Sequence, residues 1–395
     1  MPQAVLVKAP ASGPSFSVLP PLSLYVHIPW CVRKCPYCDF NSHPSPGEVP
    51  EAEYCEALVR DLEFALPSTW GRRVYTIFIG GGTPSLFSAR AIDRLLSDIR
   101  ARIPLATDCE ITLEANPGTV EAEKFREFRA AGVNRLSIGI QSFNPRHLSA
   151  LGRIHDDREA RRAIEIALEH FDNVNLDLMY GLPGQTREEA RRDALEAVSW
   201  KTSHLSFYHL TIEPNTAFYR RPPSVPDPDA AAGIEEVVHE TVAEAGYRNY
   251  ETSAYAIPGR ECRHNLNYWK FGDYLGIGAG AHSKISFSDR IVRQARIRQP
   301  REYLKKVESG EIVQEEHRLT RSDAVFEFMM NALRLTEGFE VALFQERTGL
   351  PISAGEQGLA KAEERGLIER DAFRIRPTEL GRRFLNDLLE IFLPS

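Results

Sequence analysis

The stretch LSLYVHIPWCVRKCPYC, residues 22 to 38, joins an apolar segment to three closely spaced cysteines. Its first seven residues, 22–28, are rich in apolar and β-branched side chains, which is typical of a β-strand. Cys31, Cys35 and Cys38 then follow in a C-x3-C-x2-C pattern. Thiolates are the soft ligands that iron–sulfur clusters and zinc use. The stretch therefore predicts a metal centre directly after a strand.

The pattern that begins at residue 22 repeats along the chain. Further strand candidates lie at 74–80, 110–116, 135–141, 173–181 and 204–212. Segments with helical spacing separate or follow them, at 51–66, 88–101, 121–131, 157–170, 187–199 and 229–245. Such alternation indicates parallel βαβ units. Six units are fewer than the eight of a closed barrel, so we predict an α/β fold with a partial (βα)6 barrel. Its functional residues should lie at the C-terminal ends of the strands.

Length and charge restrict the class of protein. The chain has 395 residues and a net charge of −7, which gives no electrostatic reason to expect a nucleic acid partner. No apolar run approaches the roughly 20 residues that span a bilayer. Residues 1–21 have one lysine and no hydrophobic segment of signal-peptide type, so we interpret them as an irregular tail. We expect a cytoplasmic protein, in a reducing compartment where clustered cysteines are more often metal ligands than disulfides.

A second unit follows the barrel. Segment 246–290 is rich in glycine and aromatic residues, and GDYLGIGAGAHSKI within it predicts tight backbone packing. We assign 22–290 to the barrel and its extension, and 291–395 to a linker and a C-terminal domain, with the charged segment 290–320 at the surface. Helices at 322–336, 340–348 and 355–365, the pair LIER and FRIR, and a last helix at 378–393 resemble a winged helix. The last helix carries too little basic charge to indicate DNA binding.

The three cysteines alone leave alternatives open. No second C-x2-C pair accompanies them, as a structural zinc site commonly requires, although His27 and His43 could complete one. Unrelated thiols are a third interpretation. In a four-iron cluster, three cysteine ligands leave one iron open, where a small molecule could be chelated. Two of the three remaining thiols, Cys55 and Cys109, have the sequence context of core residues.

The cysteine pattern, with Tyr37 just before its last cysteine, resembles the signature of the radical S-adenosylmethionine (SAM) enzymes. That resemblance implies a partial (βα)6 barrel and a [4Fe-4S] cluster held by Cys31, Cys35 and Cys38. It also implies that SAM chelates the open iron and is cleaved to a 5′-deoxyadenosyl radical after electron transfer from the cluster. The protein's part would be to position and tune this chemistry.

Other motifs correspond to the family's SAM site. Gly81, Gly82 and Thr83 in IGGGTPS resemble the contact to the SAM amino group, although the glycines could simply form a turn before a helix capped by Ser88. Glu114, which ends the third strand, would bind SAM by resemblance, or cap the next helix. The predicted site also includes the residues Tyr25, Tyr37, Gln141, Arg153 and Asp177.

Two details of these site residues are specific expectations. Buried aspartate and arginine side chains need partners, so an ion pair between Asp177 and Arg153 inside the barrel is the alternative to a cofactor role. We expect Tyr25 and His27 to point to opposite faces of the first strand.

Longer motifs indicate a branch of the family. YVHIPWCVRKCPYCDFNSH, LEANPGT, GVNRLSIGIQSF, DLMYGLPGQT and YETSAYA are similar to the branch of the oxygen-independent coproporphyrinogen III oxidases (HemN) and the HemW heme chaperones. The oxidases carry a further cysteine two residues after the third, where this chain has Phe40. They also have a longer segment before the cluster than the 30 residues here. Both departures favour the chaperones.

HNLNYW, residues 264–269, fits the H-N-x-x-Y-W motif associated with heme binding in these chaperones. By resemblance the heme site is His264, Asn265, Tyr268 and Trp269. Neutral imidazole is a good iron ligand and aromatic rings can cover a porphyrin, but a histidine beside aromatic residues is often only a packed core element. Cys262 is an alternative ligand.

The resemblance implies a chaperone that binds heme and transfers it to an acceptor protein, such as a membrane respiratory enzyme. Membrane association would then be transient and would come through the acceptor; a homodimer is a further expectation. The alternatives are a coproporphyrinogen III dehydrogenase and a radical enzyme with an unrelated substrate. Whether SAM is cleaved is left open, and so is enzymatic activity.

Overall fold

Six parallel strands in sequential order form the barrel in the computed structural model, which describes residues 13–45, 47–118 and 122–394. All six candidate strands from the sequence are confirmed, and the third begins earlier than expected. The strands are Leu22–Ile28, Val74–Gly81, Leu105–Ala115, Arg135–Gln141, Val174–Tyr180 and His204–His209. Each pairs in parallel with the next, so their C-terminal ends meet at one edge. The predicted partial (βα)6 barrel is therefore present.

Helices cover the outer face of the barrel. They begin at capping residues that the sequence contains, such as Asp156 and Thr186, which each form a capping box. The barrel helices are Glu51–Ala65, Ala89–Arg102, Phe125–Ala131, Pro145–Ala150, Asp157–His170, Arg187–Ser199, Ala217–Arg220 and Pro228–Glu244. Their apolar faces pack on outward-facing strand residues such as Leu24, Val26 and Ile28, which are fully buried.

The inner face of the barrel is polar. In the first strand Ser23, Tyr25 and His27 alternate with apolar residues, and the Tyr25 hydroxyl donates a hydrogen bond to His27 Nδ1 at 3.0 Å. The expectation that Tyr25 and His27 point to opposite faces was wrong, because residues two apart in a strand share a face. The barrel thus encloses groups that need hydrogen-bond partners.

The sheet extends beyond the barrel at both edges and has twelve strands. Asp273–Ile277 pairs in parallel with the first barrel strand, and three antiparallel strands follow it outward. These are His282–Phe287, Arg290–Arg296 and Val313–Arg318; the other edge has Ala254–Ala256 and Arg248–Glu251. Segment 291–320 is therefore part of the main sheet, with a helix at Pro300–Lys306, rather than the linker we expected. Its arginines have buried partners: Arg296 pairs with Asp61 at 2.9 Å.

The glycine-rich stretch packs as predicted. Gly278 has φ +104°, and its backbone lies against the carbonyl of His27 and the hydroxyl of Tyr54. Its N–H donates to Asp61 Oδ2 at 2.9 Å. A side chain here would meet His27 O at 2.5 Å, so only glycine fits.

The C-terminal domain has its own hydrophobic core. The domain contains the helices Arg321–Ala332, Val341–Thr348 and Glu356–Glu364 and a three-stranded antiparallel sheet. Its strand Phe339–Glu340 lies between the first two helices in the chain, and its strands Ile368–Arg370 and Arg374–Pro377 follow the third. The winged-helix interpretation fits this arrangement. The single last helix predicted at 378–393 is instead two short helices, Glu379–Arg383 and Leu385–Glu390, which meet at Phe384.

The part of the N-terminal tail that the structure describes, from residue 13, has no helix or strand before Leu22. It contacts the rest of the protein through main-chain bonds from Ser15 to Gly349 and from Phe16 to Ser288, both 3.0 Å long. The rest of the predicted tail, residues 1–12, lies outside the described residues. Among the described helices, none combines the length and the hydrophobicity that a transmembrane span requires.

The packing of Gly278 generates a stability prediction. Gly278→Ala should lower the free energy of unfolding by at least about 1–3 kcal/mol, because a left-handed alanine is strained and its Cβ would overlap His27 O. Chemical unfolding measured by circular dichroism would test this.

Gly233→Ala is the matched control. Gly233 lies inside the helix Pro228–Glu244 and has open space around its Cα, so alanine there should be neutral or stabilising. Equal stability of the two variants would contradict the packing argument.

Candidate functional site

The cysteine loop leaves the C-terminal end of the first barrel strand. A short parallel pairing of Trp30–Cys31 with His43–Pro44 closes the loop. Within it, Cys31, Cys35 and Cys38 are half-buried free thiols. All three line a cavity of about 360 Å³ at the C-terminal edge of the barrel. This size is in the range of small-molecule sites.

The predicted SAM-site residues converge on the same cavity. Strand after strand contributes the residue at its C-terminal end, as expected for this fold. Those among the cavity lining are Tyr37, Gly81, Gly82, Thr83, Glu114, Gln141, Arg153 and Asp177. Asn116, Met179, Tyr208 and His209 also line it, and our reading of the sequence did not select them. The position of Tyr208 and His209 at the end of the sixth strand was the signal that would have identified them.

The three thiols fit a cluster better than a single metal ion. His27 Nε2 donates to Asn41 O at 2.9 Å, and His43 Nε2 lies 3.3 Å from Asn41 Oδ1, so both rings have other partners. Within residues 13–45, 47–118 and 122–394, no three His, Cys, Asp or Glu side chains are arranged to hold one ion. The zinc alternative with His27 or His43 is therefore not supported. Thiols that surround a cavity without meeting at one point suit a multinuclear cluster.

Burial and hydrogen bonds act in opposite directions on the pKa of the first thiol, Cys31. Burial raises the pKa of the Cys31 thiol, while hydrogen bonds from Thr83 and Ser42 oppose that shift. Arg153 Nη1 lies 3.5 Å from Cys35 Sγ, and Ser42 Oγ lies 3.6 Å from Cys38 Sγ. The guanidinium of Arg153 and the hydroxyl of Ser42 can each donate to the neighbouring sulfur.

The backbone of the glycine turn packs closely against the chain that leads into the cysteine loop. Gly82 N–H donates to Ile28 O and Thr83 N–H to Trp30 O, both at 2.7 Å. A Cβ on Gly82 would lie 2.5 Å from Trp30 O. The turn therefore brings bare backbone beside the thiols, where a ligand can reach it. Ser88 also caps the following helix, so the turn and the cavity role coexist.

Two half-buried carboxylates face the cavity. Gly81 N–H donates to Glu114 Oε2 at 3.0 Å. Burial, together with the charge of Asp177, nevertheless raises the pKa of Glu114 to about 7. Burial also raises the pKa of Asp177, against hydrogen bonds from Ser137 and Asn175. A cationic ligand would stabilise both in the ionised form.

Arg153 does not pair with Asp177. Its Nη2 donates to Asn116 Oδ1 at 2.8 Å and Gly139 O at 3.0 Å, and its Nε is buried without a partner. Asp177 instead accepts from Ser137 at 2.7 Å and Asn175 at 2.9 Å. The alternative of an internal ion pair was wrong, and both side chains remain oriented to the cavity.

Gln141 ends the fourth strand with φ +68°. A left-handed glutamine is uncommon and strained, and such residues cluster at functional sites. The register between the fourth and fifth strands also shifts at this point. In this backbone conformation Gln141 is part of the cavity lining.

Tyr25 lies below the cavity rather than in its lining. Its ring stacks on Phe78 with centroids 6.3 Å apart, and burial raises its pKa well above the ordinary value. Phe78 in turn contacts His264, with ring centroids 5.0 Å apart. Tyr25 and Phe78 therefore separate the cavity from the residues below.

The predicted heme residues lie at the opposite end of the barrel. The helix Arg263–Trp269 closes the N-terminal end, and His264 Nδ1 is 2.8 Å from Thr76 Oγ1. Thr76 and Gly81 belong to one strand, five residues apart, which corresponds to about 16 Å. Our sequence reading had not placed the two sites relative to each other.

The residues of HNLNYW differ in exposure. His264 is 1% exposed, and burial lowers its pKa to about 3, so the imidazole is neutral. Asn265, Tyr268 and Trp269 are half-buried, and Arg334 lies 4.5 Å from the centroid of the Trp269 ring. Cys262 is fully buried, 3.7 Å from Glu110 Oε1. In this conformation His264 is a packed, hydrogen-bonded residue.

Comparison with known proteins agrees with these features. The Radical SAM superfamily model matches residues 25–197, and the HemN C-terminal domain model matches 319–384. The heme chaperone HemW of Escherichia coli K12 is 52% identical over 95% of this chain and 99% of its own length. The Bacillus subtilis HemW is 34% identical over 94% of this chain and 99% of its own length.

A solved structure, coproporphyrinogen III oxidase (HemN) from E. coli, described as a radical SAM enzyme, superposes with a TM-score of 0.81. It covers 95% of this chain and 90% of its own, at 25% identity. The oxidase therefore shares the fold, whereas the E. coli chaperone shares about half of all residues over nearly the whole length. The chain belongs to the HemW heme chaperone family of the radical SAM superfamily.

Proposed function

We propose that this protein is a heme chaperone, which binds heme and transfers it to an acceptor protein. The observation that carries the proposal is the 52% identity to HemW of E. coli over 95% of the chain. We further propose His264 as the heme ligand, with Asn265, Tyr268 and Trp269 around it. Neutral imidazole is a ligand type that heme iron accepts.

The cavity is the proposed cofactor site. Cys31, Cys35 and Cys38 would hold a [4Fe-4S] cluster, and the glycine turn with Glu114 would bind the amino group of SAM. When bound, the cluster supplies an electron donor beside the SAM sulfonium. The chain's own residues hold the ligand: Glu114 and Asp177 provide negative charge, Arg153 lies next to Cys35, and Tyr37 covers the site.

The proposal differs from coproporphyrinogen oxidation. Phe40, where the oxidases carry a further cysteine, is 59% exposed at the cavity mouth and offers no thiol. We propose that the chain lacks oxidase activity. We also propose membrane respiratory enzymes as acceptors, membrane association only through them, and a homodimer as the assembly.

Heme uptake tests the ligand. The purified protein should bind about one heme per chain, and His264→Ala or Trp269→Ala should weaken the Soret band, because each removes part of the heme site. His317→Ala, on an exposed strand, is the matched control and should leave the band intact. Wild-type spectra from both HNLNYW variants would exclude this site.

An anaerobic assay tests the alternative activity. The reconstituted protein, given SAM, a reductant and coproporphyrinogen III, should form no protoporphyrinogen. Mass spectrometry of the porphyrins measures this, with an oxidase of the family as positive control. Sustained turnover would show that the chain is a dehydrogenase and not only a carrier.

The raised pKa of Glu114 predicts pH-dependent SAM binding. Glu114 is ionised above about pH 7 and neutral below, so it attracts a cationic amino group only at the higher pH. SAM affinity should fall about tenfold from pH 8 to pH 6. Anaerobic equilibrium dialysis on the reconstituted protein measures it.

Glu114→Gln should give weak binding that no longer changes over this range. Glu188→Gln, an exposed carboxylate on an outer helix, is the control and should keep the wild-type profile. A wild-type profile without pH dependence would rule out Glu114 as the partner of the amino group.

A further inference from the structure

The ring of His264 is held in one tautomer by the first two barrel strands. The Thr76 hydroxyl donates to Ser23 Oγ at 2.7 Å. Because Thr76 has a single O–H, its oxygen can only accept from His264 Nδ1, 2.8 Å away. The proton of the neutral imidazole is therefore on Nδ1, and the lone pair is on Nε2. This is the form in which histidine binds iron.

Nε2 is nevertheless inaccessible. It is buried without a hydrogen-bond partner among the residues that the structure describes, and the whole residue is 1% exposed. The rings of Phe78 and Tyr268 lie on either side, with centroids 5.0 Å from that of His264. A porphyrin needs an open face next to the ligand nitrogen, so heme cannot reach Nε2 in this conformation.

Two further side chains hold the helix in place. Asn267 Nδ2 donates to Ser23 Oγ at 2.9 Å and Asp273 O at 2.8 Å. Glu110 accepts hydrogen bonds from the main-chain N–H groups of Arg263 at 3.2 Å and His264 at 3.0 Å. Asn267 thus holds the middle of the helix, and Glu110 holds its first turn, against strands of the sheet.

The segments before and after the helix Arg263–Trp269 differ in exposure. Residues 257–260 before it are exposed, and Gly259, at φ +82°, has no atom near its Cα on the side-chain side. Phe271 after it is 1% exposed and lies under Lys284 Nζ, 4.0 Å from the ring centroid. Release of the helix therefore requires breaking the Glu110 contacts at its first turn, while Phe271 anchors the chain that follows it.

We propose that the helix Arg263–Trp269 is a latch, and that heme reaches His264 Nε2 only after this helix leaves the N-terminal end of the barrel. Ser23, Thr76, Asn267 and Glu110 are positioning residues that keep the latch closed. The inference rests on the proposed function, in which His264 is the heme ligand.

The rate of heme uptake tests the latch. In stopped-flow experiments with the full-length reconstituted protein, the wild-type rate should reach a plateau as hemin concentration rises, because opening becomes limiting. Thr76→Val should raise the plateau about 2- to 10-fold, the effect of losing one hydrogen bond. The final Soret spectrum should not change, since His264 no longer contacts Thr76 once the latch is open.

Thr241→Val is the matched control, because it removes a buried hydroxyl that donates to Val237 O in an outer helix. Its uptake should equal that of the wild type. Uptake that stays proportional to hemin concentration and is unaffected by Thr76→Val would overturn the latch, while a lost Soret band in His264→Ala would leave the proposed function intact. A normal band in His264→Ala would reject both the ligand and the latch.

Hydrogen exchange gives a test that needs no variant. The amide of His264 donates to Glu110 in the closed state, so it should be protected in the heme-free protein. Heme binding should remove this protection. Unchanged protection of residues 263–269 in the heme-loaded protein would contradict the proposal, even if Thr76→Val failed to fold.

Discussion

The polar interior of the barrel is the constraint on which the rest of the structure depends. Buried hydrogen-bonding groups are costly unless they have partners, and a six-stranded barrel cannot satisfy them all by itself. The first strand shows the consequence: Ser23 binds the closing helix, Tyr25 and His27 bind each other, and the cysteines follow at the other end. The first strand therefore positions groups at both ends of the barrel.

Much of the cavity followed from the sequence because parallel strands bring their C-terminal ends together. Gly81, Glu114 and Asp177 are far apart in the chain, yet strand order alone predicts that they meet. His264 follows the barrel, and no strand end locates it. Its partners Thr76 and Glu110 are ordinary residues in sequence, so its place at the opposite end became evident only from the structure.

Other differences between the expectations from the sequence and the structure also involve contacts between distant parts of the chain. Segment 291–320 reads as surface because it is charged, but Arg296 finds Asp61 and Arg293 finds Glu327 in distant parts of the chain. Long-range ion pairs leave no local pattern, so the two strands were interpreted as a linker. In the first of the two last helices, Gly381 approaches Leu367 O so closely that a Cβ there would lie at 1.8 Å. That contact comes from tertiary packing and not from helix propensity.

A carrier must release its ligand as well as bind it, and the closed helix contributes to release. With His264 as the proposed heme ligand, closure of the latch would reduce the apparent affinity for heme in proportion to the fraction of molecules in which the latch is open. The closed state is only moderately stable, because the buried Nε2 of His264 and Nε1 of Trp269 have no hydrogen-bond partner among the described residues. Each such group costs about 1–3 kcal/mol, which offsets the hydrogen bonds that hold the helix. An acceptor that offers a stronger ligand would therefore compete with a site that closes behind the departing heme. The same hydrogen bonds that slow uptake would then favour transfer.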